Sequence, residues 1–147
     1  MGGGFLNLCT CHIHPSRILI FMPQLLYVAL GGAFGAVGRY LVSGWIQDLS
    51  GSFFPWGTVA VNSLGSYLLG FVLQAGISGG MSSEYRLLLA VGFLGAFTTF
   101  STFAYEALEL LRTGQDWQML LYIAINLIAG LTLVALGMAS YTALRGM

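Results

Sequence analysis

Charged side chains are scarce in this chain, and the gaps between them constrain its fold more tightly than any motif does. They are Arg17, Arg39, Asp48, Glu84, Arg86, Glu106, Glu109, Arg112, Asp116 and Arg145. Between them run four apolar stretches, Leu25 to Ile46 (interrupted only by Arg39), Phe53 to Ile77, Leu87 to Tyr105 and Trp117 to Leu144. A hydrocarbon core of about 30 Å is crossed by roughly 20 helical residues, a length that each stretch meets or nearly meets. Charged residues make up only 7% of the chain, against about 25% in an ordinary soluble domain, too few to solvate a water-facing surface. The expected fold is an all-α membrane protein with four transmembrane helices, its surface solvated by the lipid bilayer.

The same scarcity excludes whole classes of function. With five Arg, five acidic residues and no Lys, the net charge is zero and no basic patch for nucleic acid can be assembled. Both histidines lie before residue 15, and the carboxylates nearest the apolar interior, Glu106 and Glu109, stand at the end of the third stretch. No acid–base pair or metal-binding set can be built in the core, so the chain reads as a non-enzyme.

Residues 1–22 read as an N-terminal extension, disordered or the product of a mis-assigned start, with Met22-Pro23 as the natural beginning of a transmembrane domain over residues 23–147. Within the extension, Cys9, Cys11, His12 and His14 are spaced more tightly than the usual zinc patterns. Arg17 follows the weakly apolar start and no small-residue cleavage site follows an apolar region, which argues against a signal peptide. The connectors between spans are short and rich in turn residues: 47–52, 79–84 and 113–116. Trp45, Trp56 and Trp117, with Tyr85, Tyr105 and Tyr141, lie at span ends, where an amphipathic ring is best accommodated as an interface anchor. With four spans, Arg17, Arg86 and Arg145 face one compartment and Arg39 and Arg112 the other; starting at Met22, the count is even. So small a bias permits insertion in both orientations, and with it an antiparallel homodimer.

Several features inside the spans ask for an explanation. Gly31 and Gly35 form a small-xxx-small pair suited to close helix packing, and the surrounding glycines lack the spacing of a nucleotide-binding loop. Arg39 has two readings, an anchor that snorkels to the interface or a guanidinium in an aqueous vestibule that raises the local anion concentration. Thr58, Asn62 and Ser66 make a polar stripe at i, i+4 and i+8, and Tyr122 and Asn126 repeat the theme on the fourth span. Each mid-span Asn either bonds a neighbouring helix or faces a wet passage where its N–H groups replace water around an anion.

The third span is the least lipid-like. Gly92-Phe93-Leu94-Gly95-Ala96-Phe97-Thr98-Thr99-Phe100-Ser101-Thr102-Phe103 combines weak helix formers with hydroxyls able to satisfy freed backbone groups, which predicts a discontinuous helix near Gly95 to Ser101. Its freed carbonyls can coordinate a cation, and its phenylalanines either pack or present positive ring edges to a small anion.

These strings, with Gly35-Ala36-Val37-Gly38-Arg39-Tyr40 and Gly57-Thr58-Val59-Ala60-Val61-Asn62, resemble the CrcB/Fluc family of fluoride channels from about Pro23 to Arg145. The resemblance implies a bacterial plasma or inner membrane protein, a fluoride-selective channel exporting cytoplasmic fluoride passively down its gradient. It also implies an antiparallel, dual-topology homodimer with two pores and a structural sodium ion (Na+) at its centre, held by the carbonyls of Gly95 and Thr98 from each subunit. By position, Phe100 and Phe103 match the phenylalanines of the fluoride path, Asn62 the pore asparagine and Arg39 the vestibule arginine, and Glu106 takes the glutamate position. Tyr122 fits the polar track of the fourth span, whereas Asn126 and Gly130 stand where hydroxyls are expected. Fluoride is small and strongly hydrated, so donors such as Asn62, Ser101 and Thr102 would replace its lost water. Two other classes remain: a small four-span proton-coupled multidrug transporter, which wants a carboxylate that the first span lacks, and a non-transporting accessory subunit in which Asn62, Phe100 and Phe103 only pack helices.

Overall fold

The computed structural model describes residues 15–146, with side chains from Met22 onward; Cys9, Cys11, His12 and His14, and most of the expected extension, lie outside the described residues. The architecture is all-helical, with no strand among those residues. Helix α1 spans Pro15–Ser50 and α2 Trp56–Ile77. The third span is assembled from α3 (Ser83–Arg86), a π-helical stretch (Leu87–Leu94), α4 (Gly95–Phe97) and α5 (Phe100–Arg112), and α6 spans Asp116–Arg145. Four segments are long and apolar enough to cross a membrane: Met22–Ser50, Trp56–Ile77, Ser83–Arg112 and Asp116–Arg145.

The boundaries follow local chemistry. The second helix begins at Trp56, three residues after the start of its apolar stretch, because Pro55 at its N-cap disfavours helical backbone at Phe54 before it. Gln47 shapes that connector, its amide donating to the Ser52 carbonyl (2.6 Å) and the Phe54 carbonyl (3.2 Å) while its oxygen accepts from the Gly57 N–H (3.2 Å). After α5 the chain reverses through Gly114 at φ +73°, a backbone region that side chains with a Cβ rarely enter, and Gln115 N–H closes back on the Leu110 carbonyl at 2.8 Å.

Packing pairs α1 with the first half of the third span, and α2 with α6. The α1 contact is made at backbone distance. A Cβ on Gly31 would lie 2.2 Å from the Leu88 carbonyl oxygen and one on Gly35 2.1 Å from that of Phe93, so the Gly31/Gly35 pair is a packing motif. Gly70 and Gly137 do the same for α2 and α6, where added Cβ atoms would meet the Val134 and Tyr67 carbonyl oxygens at 2.1 and 2.0 Å. A small buried core joins Val59, Phe103, Ala107, Leu110 and Tyr122. The three tryptophans sit near helix ends with much of their surface exposed, as interface anchors do.

Candidate functional site

The site forms where the third span leaves the helical path. Thr98 (φ −82°, ψ 158°) and Thr99 (φ −148°, ψ 117°) are extended, between α4 ending at Phe97 and α5 starting at Phe100. The local sequence accounts for this. Thr99 is a hydroxyl residue directly ahead of a new apolar helix, and its Oγ1 accepts from the Thr102 N–H at 3.2 Å, capping α5. That hydroxyl also donates to Thr102 Oγ1 at 2.9 Å and lies 3.4 Å from Ser101 Oγ. Thr98 turns its hydroxyl back to the Leu94 carbonyl at 3.1 Å.

Side chains from the flanking helices clasp both sides of the interruption. From α1, Arg39 Nε donates to the Ala96 carbonyl at 3.1 Å, placing a cation at the end of a helical segment where carbonyls accumulate. From α2, Asn62 grips Thr99 at both backbone atoms: its Oδ1 accepts from the Thr99 N–H at 2.8 Å and its Nδ2 donates to the Thr99 carbonyl at 3.2 Å. The second Nδ2 proton goes to Asn126 Oδ1 at 3.0 Å, and Asn126 Nδ2 donates to the Tyr122 carbonyl at 3.0 Å. The two mid-span asparagines therefore bond each other across helices, and both N–H groups of Asn62 are engaged. Gly65, one turn further along α2, leaves room for the Thr98 methyl, which a Cβ there would meet at 2.3 Å.

These clasps change the backbone's own pairing of donors. In a continuous helix the Thr99 N–H serves the Gly95 carbonyl and the Thr102 N–H serves that of Thr98. Here the first goes to Asn62 and the second to the Thr99 hydroxyl. Among the carbonyls that lose their helical donors are thus those of Gly95 and Thr98, and oxygen donors of this kind suit a hard cation.

Two cavities flank Tyr122. One, of about 230 Å³, opens at the interruption and is lined by Asn62, Ser66, Thr98, Thr99, Phe100, Phe103 and Asn126, among others. The other, of about 510 Å³, lies toward the ends of α1 and α5 and is lined by Ser43, Gln47, Thr58, Glu106 and Glu109, among others. Tyr122 is wholly buried; its hydroxyl donates to Glu106 Oε2 at 2.6 Å and its ring packs on Phe103 with centroids 5.3 Å apart. It bridges a carboxylate of the larger cavity and a ring of the smaller one.

The residues singled out in the sequence converge here to different degrees. Asn62, Asn126, Phe100 and Phe103 line one cavity, and the phenylalanine rings lie 5.6 Å apart at 52°. Phe103 is 8% exposed, whereas Phe100 is 76% exposed on the isolated chain. Ser101 is exposed and Thr102 half-buried beside Thr99. Arg39 lies on the α4 side, and Gly95 is exposed on the chain surface. Sequence reasoning did not single out Thr99 from its run or Ser66 as a cavity wall; the cap pattern Thr99-Phe100-Ser101-Thr102 ahead of an amphipathic segment was the available signal for the first.

Known proteins share this chain's pattern at length. Residues 26–138, which span the whole site, match the family described as CrcB-like protein, Camphor Resistance (CrcB). The chain is 52% identical over 120 residues to the fluoride-specific ion channel FluC of Hahella chejuensis, covering 80% of this chain and 94% of that one. Against a fluoride-specific ion channel FluC of Thermus thermophilus the identity is 49% over 114 residues, 78% of this chain and 90% of the relative. Against that of Geobacter sulfurreducens it is 44% over 117 residues, 79% and 91% respectively.

Proposed function

The chain belongs to the CrcB family, and on that footing we propose that it is a fluoride-selective ion channel of the bacterial membrane, a multi-pass protein without enzymatic chemistry, that lets cytoplasmic fluoride leave passively down its electrochemical gradient. The observation that carries the reading is the likeness to fluoride-specific channels over nearly their full length, in a match that takes in the interruption and its clasps. A strongly hydrated anion needs substitutes for its water that do not trap it as a full charge would. Along the smaller cavity the chain offers the Asn126 amide proton not used by Tyr122, the Ser66 hydroxyl, and the rings of Phe100 and Phe103, whose edges are positive. Ser101 and Thr102 extend the row of hydroxyls, and the Arg39 guanidinium draws anions toward it. Asn62 contributes by holding Thr99 open, since both its N–H groups are already committed.

The working unit in this reading is an antiparallel, dual-topology homodimer. Its support is the near-absent Arg bias between the two sides, and the exposure on the isolated chain of Gly95 and Phe100, surfaces that a second copy would cover. The discontinuity in the third span is then the centre of that assembly. The Gly95 and Thr98 carbonyls fit a sodium ion shared between copies, two from each, because neither retains its helical donor. Bound there, sodium would tie the subunits together and add positive potential beside the anion path.

The test is efflux from liposomes carrying the purified protein, read with a fluoride electrode and, in parallel, for chloride. Fluoride release without chloride release is expected, and F100I slows it. Equal rates for the two halides overturn selectivity. A single insertion direction, read by cysteine labelling from each side, overturns the dimer.

A further inference from the structure

We propose that Asn126 is a positioning residue, which together with the Thr99 backbone holds the Asn62 carboxamide in the orientation that pairs the Thr99 N–H, and thereby keeps the interruption of the third span in place. Hydrogen-bond polarity is the reason. A carboxamide is asymmetric, donating at its nitrogen and accepting at its oxygen, and the flip of a terminal amide costs little by itself. At one end of this chain of contacts stands the Thr99 N–H, which can only donate; at the other stands the Tyr122 carbonyl, which can only accept.

Between these ends the two amides must point one way. The Tyr122 carbonyl demands the nitrogen of Asn126 (3.0 Å), which turns Asn126 Oδ1 toward Asn62. That oxygen demands the nitrogen of Asn62 (3.0 Å), which turns Asn62 Oδ1 onto the Thr99 N–H (2.8 Å). Were Asn62 to flip, its NH2 would confront the Thr99 N–H and its Oδ1 the Thr99 carbonyl, leaving both backbone groups unpaired. Because Tyr122 and Asn126 are on α6, Asn62 on α2 and Thr99 in the third span, the pairing of one backbone N–H depends on three spans.

This deepens the reading of the interruption as the centre of the anion path, and its test is separable from that reading. N126L, which keeps size but removes both polar ends, is compared with wild type in detergent micelles by hydrogen–deuterium exchange, with fluoride efflux in liposomes alongside. Exchange over residues 98–102 is expected to rise about ten-fold or more, in keeping with a buried donor left unpaired, while peptides from α2 and α6 hold their wild-type rates. Efflux falls, and N62A combined with N126L exchanges no faster than N62A alone. N126S is the milder variant: acceleration confined to the same segment supports the proposal, and none overturns it. Wild-type exchange at residues 98–102 in N126L overturns it too, as does an equal acceleration everywhere, the mark of a general contact between helices. If the exchange pattern holds but wild-type protein releases no fluoride, the positioning stands and the channel reading fails.

Discussion

The two halves of the third span are held by different means. The first half, through the π-helical stretch and α4, lies against α1 at backbone distance, with Gly31 and Gly35 meeting the Leu88 and Phe93 carbonyls directly. The second half, α5, is held by side chains: Phe103, Ala107 and Leu110 pack in one core with Tyr122, and Glu106 accepts the Tyr122 hydroxyl. A backbone-on-backbone contact has no rotamers with which to absorb an error, whereas a side-chain contact repacks. The rigid half therefore fixes where α4 ends, and the adaptable half lets Phe100 and Phe103 take their tilt beside the cavity. Between them, the interruption is clasped from α1 by Arg39 at the Ala96 carbonyl and from α2 by Asn62 at Thr99.

The sharpest break of this contrast is G35V. Its Cβ would stand 2.1 Å from the Phe93 carbonyl oxygen, so no folded protein is expected on size-exclusion chromatography. G32A is its control, since the nearest atom there is 4.0 Å away, and it should elute as wild type. In the adaptable half, F103A removes a buried ring and should cost about 3 kcal/mol in denaturant unfolding, while F100A, at a ring 76% exposed on the isolated chain, leaves the isolated subunit's unfolding nearly unchanged. If both cost the same, the two rings do not divide between core and surface in this way. At the clasps, N62A removes a half-buried amide that makes three hydrogen bonds to its neighbours. A loss of about 2 kcal/mol is expected, together with fluoride efflux reduced at least about ten-fold. Smallest of all, R39K keeps the charge but gives up the Nε bond to Ala96 and should slow efflux only a few-fold. An R39K loss larger than that of N62A would reverse the ranking of the two clasps.

Legibility in the sequence follows the range of the forces involved. The four spans, their aromatic ends and the Gly31/Gly35 contact were readable because hydropathy, interface preference and small-residue spacing are local properties. The string from Gly92 to Phe103 drew attention through its poor helix formers. Which two of its residues take extended backbone was not readable, because that depends on Asn62, 37 positions away from Thr99. The pairing of Asn62 with Asn126 was one of two open readings, and a contact spanning 64 positions is set by the lie of α2 against α6. The π-helical stretch gave no advance signal, since Leu87–Leu94 reads as an ordinary apolar run.

By itself, then, the sequence determined that this chain lives in lipid, crosses it four times and carries its scarce polar groups inside, because each of those is a count of apolar and charged residues along a line. Tertiary structure alone decided that the Thr99 N–H turns away from the helix, because its acceptor sits on a side chain of another span that only packing brings within reach, whereas the Thr102 N–H is capped locally by the Thr99 hydroxyl.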